Sequence, residues 1–564
     1  MFNSKKTQLF NTDDRKQTSG NTFVKGGMKK SAETLSGNYA LKYSETDNPF
    51  VTQFGSMSAY KAQRSYEEIS RDTSTLWAIN PRLTVCFIFF IRMITRITSL
   101  FDKVKTSTVQ RGAGLRHEGI MRMLWLHVNH PETFWKNITL WISIGSWKDI
   151  IQMLSYDLQY NGWENKALDW NNMGAIIMAG LENPNTVNLV KKYLPQIKPN
   201  SKCTTVEAQA DNMIAKWICS LLYGVKPDHV SKAKFYGHTY KLYRKLKASG
   251  TAHRWQQLIS RGNHNLVDFD TVHGRALALM VSSKYLKNQG LEEKYNQWIE
   301  SKPVAKFTGY VHELFMKIPT KPYQISTLNK QFEGLVEIAK KNAKTDTSLI
   351  VVRDTSGSMD RSAEGVNMSC GNIAKALALF FSRMLPDGHF ANSWIEFNAD
   401  AKMHQWRGST PYENWINDHS SYIGNTDFQS VIRLFAKIKN SGVPESEFPT
   451  GILCISDGEF DPADLEATNV QKALHTLRSN GFSKEYVDNF KIVLWDLRNN
   501  YYGRRSTSFE TYESDVPNVY YFSGFDGSTV AFLTGVEGQQ KEPKTAKELF
   551  EAAMNQEVLN MIEI

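Results

Sequence analysis

The chain has 564 residues, 41% of them hydrophobic and 22% charged, with a formal net charge of +10. That length exceeds what one hydrophobic core serves, so two or three domains are expected, and the composition is that of a soluble globular protein rather than a disordered or fibrous one. The five cysteines (Cys86, Cys203, Cys219, Cys370, Cys454) are odd in number, contain no CxxC pair and partly sit in apolar runs, which argues against a disulfide framework and for a reducing, cytoplasmic compartment.

The charge is unevenly divided. Residues 346–564 carry 19 Lys and Arg against 30 Asp and Glu, a net of −11; the chain totals of 67 and 57 leave 48 and 27 for residues 1–345, a net of +21. An excess of that size favours a polyanionic partner for the first part of the chain.

Residues 1–45 are rich in Lys, Ser, Thr, Asn and Gly without an apolar period and read as a flexible, basic, polar tail. Its Lys25-Gly-Gly-Met-Lys-Lys30 lacks the spacing of a phosphate loop, and Met1-Phe-Asn-Ser-Lys-Lys leads into no apolar core, so no secretory leader is expected. From about residue 46 to 344, apolar residues recur at three- and four-residue steps. They predict successive helices, among them Ile120 to His127, Pro131 to Ile144, Trp147 to Leu158, Ala208 to Leu222, Ser231 to Lys247, Arg275 to Leu286 and Gln324 to Lys344. Pairs of helices of this length suggest an all-α repeat arranged as a solenoid or ring. The run from Leu83 to Ile97 is too short to span a bilayer and is interrupted by Arg92 and Arg96, so it is expected to be a buried helix.

Two stretches of this helical region could meet RNA. In Thr108-Val-Gln-Arg111-Gly-Ala-Gly-Leu-Arg116-His117, with Arg122 beyond it, a glycine-containing loop at a helix start offers N–H groups and guanidinium forks suited to a phosphate. The same residues also suit a plain turn whose arginines sit in salt bridges. In the helix from Ser231 to Lys247, Phe235, Thr239, Leu242 and Leu246 form an inward stripe. Lys234, His238, Lys241 and Lys245, with Arg244, make a basic flank, while Tyr236, Tyr240 and Tyr243 make an aromatic one. Such rows suit single-stranded nucleic acid, by phosphate pairing and base stacking, or else tyrosines packed at a core rim. The histidines of this half lack metal-ligand spacing.

Beyond residue 344 strands and helices alternate, predicting a mostly parallel, doubly wound α/β sheet. The buried strand Leu349-Ile-Val-Val-Arg-Asp354 runs into Thr-Ser356-Gly-Ser358-Met359. The loop Gly424-Asn425-Thr426-Asp427 opens a helix, and the strand Gly451 to Ile455 ends in Ser456-Asp457-Gly458. Strand-end loops gather at one sheet edge, so these oxygens can meet. Ser356 and Ser358 would bind a hard divalent ion, Mg²⁺ or Mn²⁺, directly; Thr426, Asp354 and Asp457 would do so directly or through water, with one position left for a partner's carboxylate or a water. The acids after Asp457 (Glu459, Asp461, Asp464) read as a solvated loop.

These three loops resemble the metal-ion-dependent adhesion site (MIDAS) of a von Willebrand factor A domain, in which the corresponding Asp, both Ser, the Thr and the second Asp hold the ion. Asn425 stands where related domains often carry a second glycine. A basic helical half ahead of such a domain resembles the Ro autoantigen (TROVE) proteins and, through Arg111-Gly-Ala-Gly-Leu-Arg116, His130-Pro-Glu-Thr-Phe134 and Gly145-Ser-Trp-Lys-Asp149, a family known as domain of unknown function 2828. Ala113 and Leu115 depart from that family's usual arginine–glycine loop. The resemblance implies a HEAT-like helical-repeat ring over residues 46–344, closed by an A domain over 345–564. It would bind RNA through single-stranded ends and structured duplex as a ribonucleoprotein scaffold.

The expected function is therefore a non-catalytic RNA-binding scaffold whose metal site docks an acidic protein ligand. No general base, GxSxG elbow, phosphate loop or two-metal carboxylate cluster accompanies the site, so an enzyme is not expected, nor a membrane or small-molecule partner. The alternative is an interaction adaptor or assembly component, cellular or viral, that works through the A domain, for example with an AAA+ ATPase. The expected location is the cytoplasm, or a virion for a viral chain.

Overall fold

The computed structural model describes residues 33–35, 41–43, 48–57, 64–93, 112–250, 254–272, 274–307, 309–342, 348–362, 366–397, 400–418, 427–457, 469–497, 517–524 and 544–564. The chain divides into two compact units. Among the described residues, the first contains 64–267 and 556–564, and the second contains 33–57 and 268–555. The span read as a tail includes a two-stranded antiparallel pair, β1 (Glu33–Leu35) and β2 (Leu41–Tyr43), with Thr34 opposite Lys42. Helix α1 (Pro49–Ser56) follows, capped by the Asn48 side chain, which accepts from the Phe50 amide at 2.9 Å.

The first unit is helical: α2 (Tyr66–Ile79), α3 (Pro81–Arg92), α4 (Arg116–Asn129), α5 (Pro131–Ile144), α6 (Trp147–Asn161), α7 (Trp170–Glu182), α8 (Val187–Tyr193), α9 (Val206–Tyr223), α10 (Lys232–Ala248) and α11 (Arg254–Ser260). Local chemistry sets the starts. Ser65 and Glu68 close a capping box on α2, Pro81 and Pro131 occupy first-turn positions, and Thr205 and Ser231 cap α9 and α10. Helix α3 is buried without a break from Thr84 to Arg92, as its apolar run predicts. Among the described residues no helix is long and apolar enough to cross a membrane.

Two buried carboxylates hold the first helices together. Asp149 of α6 receives Arg92 through two hydrogen bonds (2.6 and 2.9 Å) and Arg116 through a third (3.1 Å). Glu118 of α4 receives Arg64 (2.6 Å) and Arg122 (2.9 Å). Arg92, Arg122, Asp149 and Glu118 are at most 1% exposed. The glycines serve the same assembly: a Cβ on Gly112 would run into Met93 and Phe90 at the end of α3, and one on Gly145 would strike the Asp149 carboxylate.

The second unit is built on a six-stranded mixed sheet in the order β5-β4-β3-β6-β7-β8. Its strands are β3 (Leu349–Asp354), β4 (Ser393–Phe397), β5 (Lys402–Gln405), β6 (Gly451–Ser456), β7 (Lys491–Asp496) and β8 (Val519–Ser523). All neighbours are parallel except the β4–β5 edge pair. On one face Ile350, Val352, Ile452, Cys454, Ile492 and Leu494 pack with Phe428, Val431, Ile432 and Phe435 of α18 (Phe428–Asn440) and with Val470, Ala473 and Leu477 of α19 (Asn469–Ser479). On the other face lies α16 (Cys370–Ser382), whose Phe381 ring sits 6.3 Å from Trp495. Strands alternate their side chains between faces, so one buried strand feeds both layers.

The preceding helices α12 (Gly274–Ser282), α13 (Tyr285–Asn288), α14 (Glu292–Glu300) and α15 (Pro322–Asn342) belong to this unit too. Phe332 of α15 approaches Phe380 at 6.2 Å, and Phe315 stacks at 4.2 Å on Trp415 of α17 (Pro411–Ile416). Helix α20 (Lys484–Asn489) leads into β7, and α21 (Ala546–Met554) sets Phe550 against Phe50 and Phe54, each at 5.6 Å.

The Glu118 clamp yields a first prediction. Burial pushes its carboxyl up, but Arg64 and Arg122 outweigh that and hold it below the ordinary glutamate value of 4.5. A depressed folded-state value stabilises the fold above that range, and the stabilisation is lost as pH falls through it. Glu118→Gln is expected to lower denaturant stability at pH 7 by about 3 kcal/mol, because it leaves Arg122 buried without its charge partner. The gap to wild type should close on acidification, while Glu132→Ala, at an exposed pair with Lys136, should stay within about 0.5 kcal/mol.

Candidate functional site

Strands β3 and β6 lie side by side and parallel, with Arg353 in register with Ile455. The chain leaves β3 toward β4 on one side and β6 toward β7 on the other, so the two strand ends form the switch point of the sheet, where open α/β folds place ligands. Asp354 ends β3, and Asp457 follows the end of β6 directly.

The loop after β3 folds onto Asp354. Its Oδ1 accepts from the Ser356 amide (2.8 Å) and its Oδ2 from the Ser456 hydroxyl (2.5 Å). The Ser356 and Ser358 hydroxyls are 3.0 Å apart and hydrogen-bonded to each other. Asp354 is fully buried, Ser358 half-buried and Gly357 exposed, so the hydroxyl side of the cluster opens to solvent. Burial, and next to it the charge of Asp457, push the Asp354 carboxyl up to about 6.

Asp457 is the most informative residue. It is 1% exposed, and both carboxylate oxygens are buried without a hydrogen-bond partner among the described residues. A buried carboxylate beside a second one requires a proton or a cation. Two carboxylates and two hydroxyls are an oxygen set that fits a small divalent ion, so Asp354, Ser356, Ser358 and Asp457 could hold Mg²⁺ or Mn²⁺. Among the described residues no three His, Cys, Asp or Glu side chains gather as a metal cluster, so an ion here would depend on the hydroxyls. Thr426 lies outside the described residues. Next to it, Asp427 caps α18 by accepting from the Gln429 amide at 3.0 Å and pairs with Arg433.

Sequence reasoning missed a second layer. Thr355 donates to buried Glu396 of β4 (3.1 Å), whose other oxygen meets His404 of β5 (2.8 Å), bracing the loop between Asp354 and Ser356. On this same face, opposite to that of Asp354, Arg353 is fully buried, pairs with Asp418 (2.7 Å) and lies over the Trp394 ring (5.0 Å), while Lys375 also reaches Asp418 (3.3 Å). The available signal was a charged residue inside an otherwise apolar strand, Arg353 in β3 and Glu396 in β4.

The candidate RNA contacts separate into two groups. Arg111 lies outside the described residues. The amides of Ala113, Gly114 and Leu115 donate to the Phe90, Met93 and Ile91 carbonyls, so these three N–H groups cap α3 and are not offered to a phosphate. Arg116 is tied to Asp149, and Arg122 is fully buried against Glu118, which corrects the reading of Arg122 as an RNA contact. On α10, by contrast, Lys234, His238, Lys241, Arg244 and Lys245 are all exposed. Tyr236 is 40% exposed with its ring 5.4 Å from that of Tyr240. Tyr243 is not part of that flank: it is fully buried and its hydroxyl donates to the Pro195 carbonyl (2.9 Å).

The second unit is thus a mixed α/β domain with a carboxylate–hydroxyl cluster at its switch point. A family model described as a domain of unknown function, DUF7788, matches residues 348–561, which take in the whole sheet and that cluster. No curated protein and no solved structure matches the chain.

Because both Asp457 oxygens are buried without a partner among the described residues, Asp457→Asn should raise the melting temperature of the second unit in EDTA by a few degrees, roughly 1 kcal/mol. A lower melting temperature in calorimetry would show that a counter-charge is already built in.

Proposed function

We propose that this chain is a non-catalytic RNA-binding scaffold that holds RNA on its first unit and, through a divalent ion on its second, an acidic side chain of a protein partner. One observation carries the reading. Residues 187–250 hold twelve Lys and Arg against three Asp and Glu, and among the described residues none of the twelve forms an ion pair. Elsewhere in the unit, Arg64, Arg92, Arg116 and Arg122 are consumed by buried acids. Surface cations outside ion pairs, with exposed Tyr236 beside them, are what a single-stranded polyanion requires. In this reading the helical unit belongs to a TROVE-like, HEAT-like repeat ring and the sheet to a von Willebrand factor A-like domain. Asp354, Ser356, Ser358, Thr426 and Asp457 hold the ion as a Lewis-acidic anchor. The five buried, unbridged cysteines support a reducing location.

The adaptor reading rests on the carboxylate cluster alone and makes the ion, not RNA, the essential ligand. Two measurements separate them. RNA binding should weaken with salt along a log–log slope of about −0.7 to −0.9 per neutralised phosphate, and the triple change Lys234→Ala, Lys241→Ala, Lys245→Ala should flatten that slope by about 2. Absence of binding at low salt removes the RNA reading. Millimolar Mg²⁺ or Mn²⁺ should raise the melting temperature of the second unit, and Asp354→Ala should abolish the rise while leaving RNA affinity unchanged; an ion-insensitive wild type removes the metal.

A further inference from the structure

Residues 556–564 belong to the first unit although α21, directly before them, belongs to the second. They are held in the way a peptide ligand is held. The Arg82 guanidinium of α3 donates to the backbone oxygens of Ile562 (2.7 Å) and Asn560 (3.3 Å). The Asn137 amide of α5 donates to the Glu563 oxygen (2.5 Å) and accepts from the Glu563 N–H (3.1 Å), so one side chain does what a neighbouring strand would do. The Cys86 thiol faces the Leu559 oxygen at 3.8 Å, and Lys136 donates to the Ile564 oxygen at 3.1 Å.

Side-chain anchoring follows the same logic. Val558, Leu559 and Ile562 are buried, while Glu557, Asn560, Met561 and Glu563 remain exposed. Main-chain groups read by fixed side chains, with apolar anchors at alternate turns, is how grooves recognise short peptides.

We propose that α3 and α5 form a peptide-docking groove, filled by residues 556–564 of the same chain, for a short segment with Leu at one position and Ile three residues later. Attachment through α21 keeps the segment at a high effective concentration, so a free peptide competes poorly with it.

The test uses the full chain. In Leu559→Asp, Ile562→Asp the segment is expelled, and a fluorescent synthetic peptide of residues 556–564 should bind at least tenfold more tightly than to wild type by anisotropy. Adding Arg82→Ala and Asn137→Ala should weaken that binding at least tenfold. Equal binding to wild type and variant, or none to a variant with wild-type circular dichroism, overturns the proposal. If the variant loses its fold, hydrogen exchange of the wild type decides: amides of 556–564 should exchange at least tenfold faster than those of α3, whereas exchange in step with α3 makes the segment part of the core and overturns the groove.

Discussion

A charge removed from water must find an opposite charge, and both units of this chain are organised by that requirement. In the first unit it is met internally. Asp149 and Glu118, each fully buried, are each gripped by two guanidiniums, and those pairs fix α4 and α6 against α3 and the start of α2. In the second unit the described residues do not meet it at the switch point. Asp354 keeps two neutral hydrogen bonds and Asp457 none, while the arginine nearest in sequence, Arg353, points through the sheet to Asp418. The strand alternation that sends Arg353 to one face and Asp354 to the other separates a structural charge from an available one.

The same bookkeeping of charge sorts the basic residues by role. Arginines cluster where planar, bidentate geometry clamps a carboxylate, as Arg92 does on Asp149. Lysines dominate residues 187–250, where among the described residues none of them forms an ion pair. Lys247 shows the boundary case: its ammonium turns inward to the Lys192 and Leu194 carbonyls at the end of α8, and burial pulls its pKa down. Among the described residues of the first unit, the basic groups therefore include arginines engaged by buried acids and lysines that form no ion pair.

Much of the frame was legible in the residues. The apolar run from Leu83 reads as a buried helix because it is too short to span a bilayer and is interrupted by Arg92, and β3 reads as a buried strand because parallel strands bury both faces. The order of Asp354, Ser356, Ser358 and Asp457 at strand ends already placed them at one edge of the sheet. What escaped was set by residues distant in sequence. The arginine–glycine loop that looked suited to phosphate spends the amides of Ala113, Gly114 and Leu115 on α3. Tyr243, assigned to an aromatic flank, is drawn inward by the Pro195 carbonyl of another segment.

By itself, then, the sequence determined the helical and α/β regions, the hydroxyl–carboxylate series and the charge asymmetry, because periodicity, strand-end acids and composition are local quantities. Only the tertiary structure decided which cations are already engaged, that Asp457 is buried without a partner among the described residues, and that residues 556–564 return to the first unit. Each of these depends on which side chains meet across tens to hundreds of residues, and no local pattern encodes that.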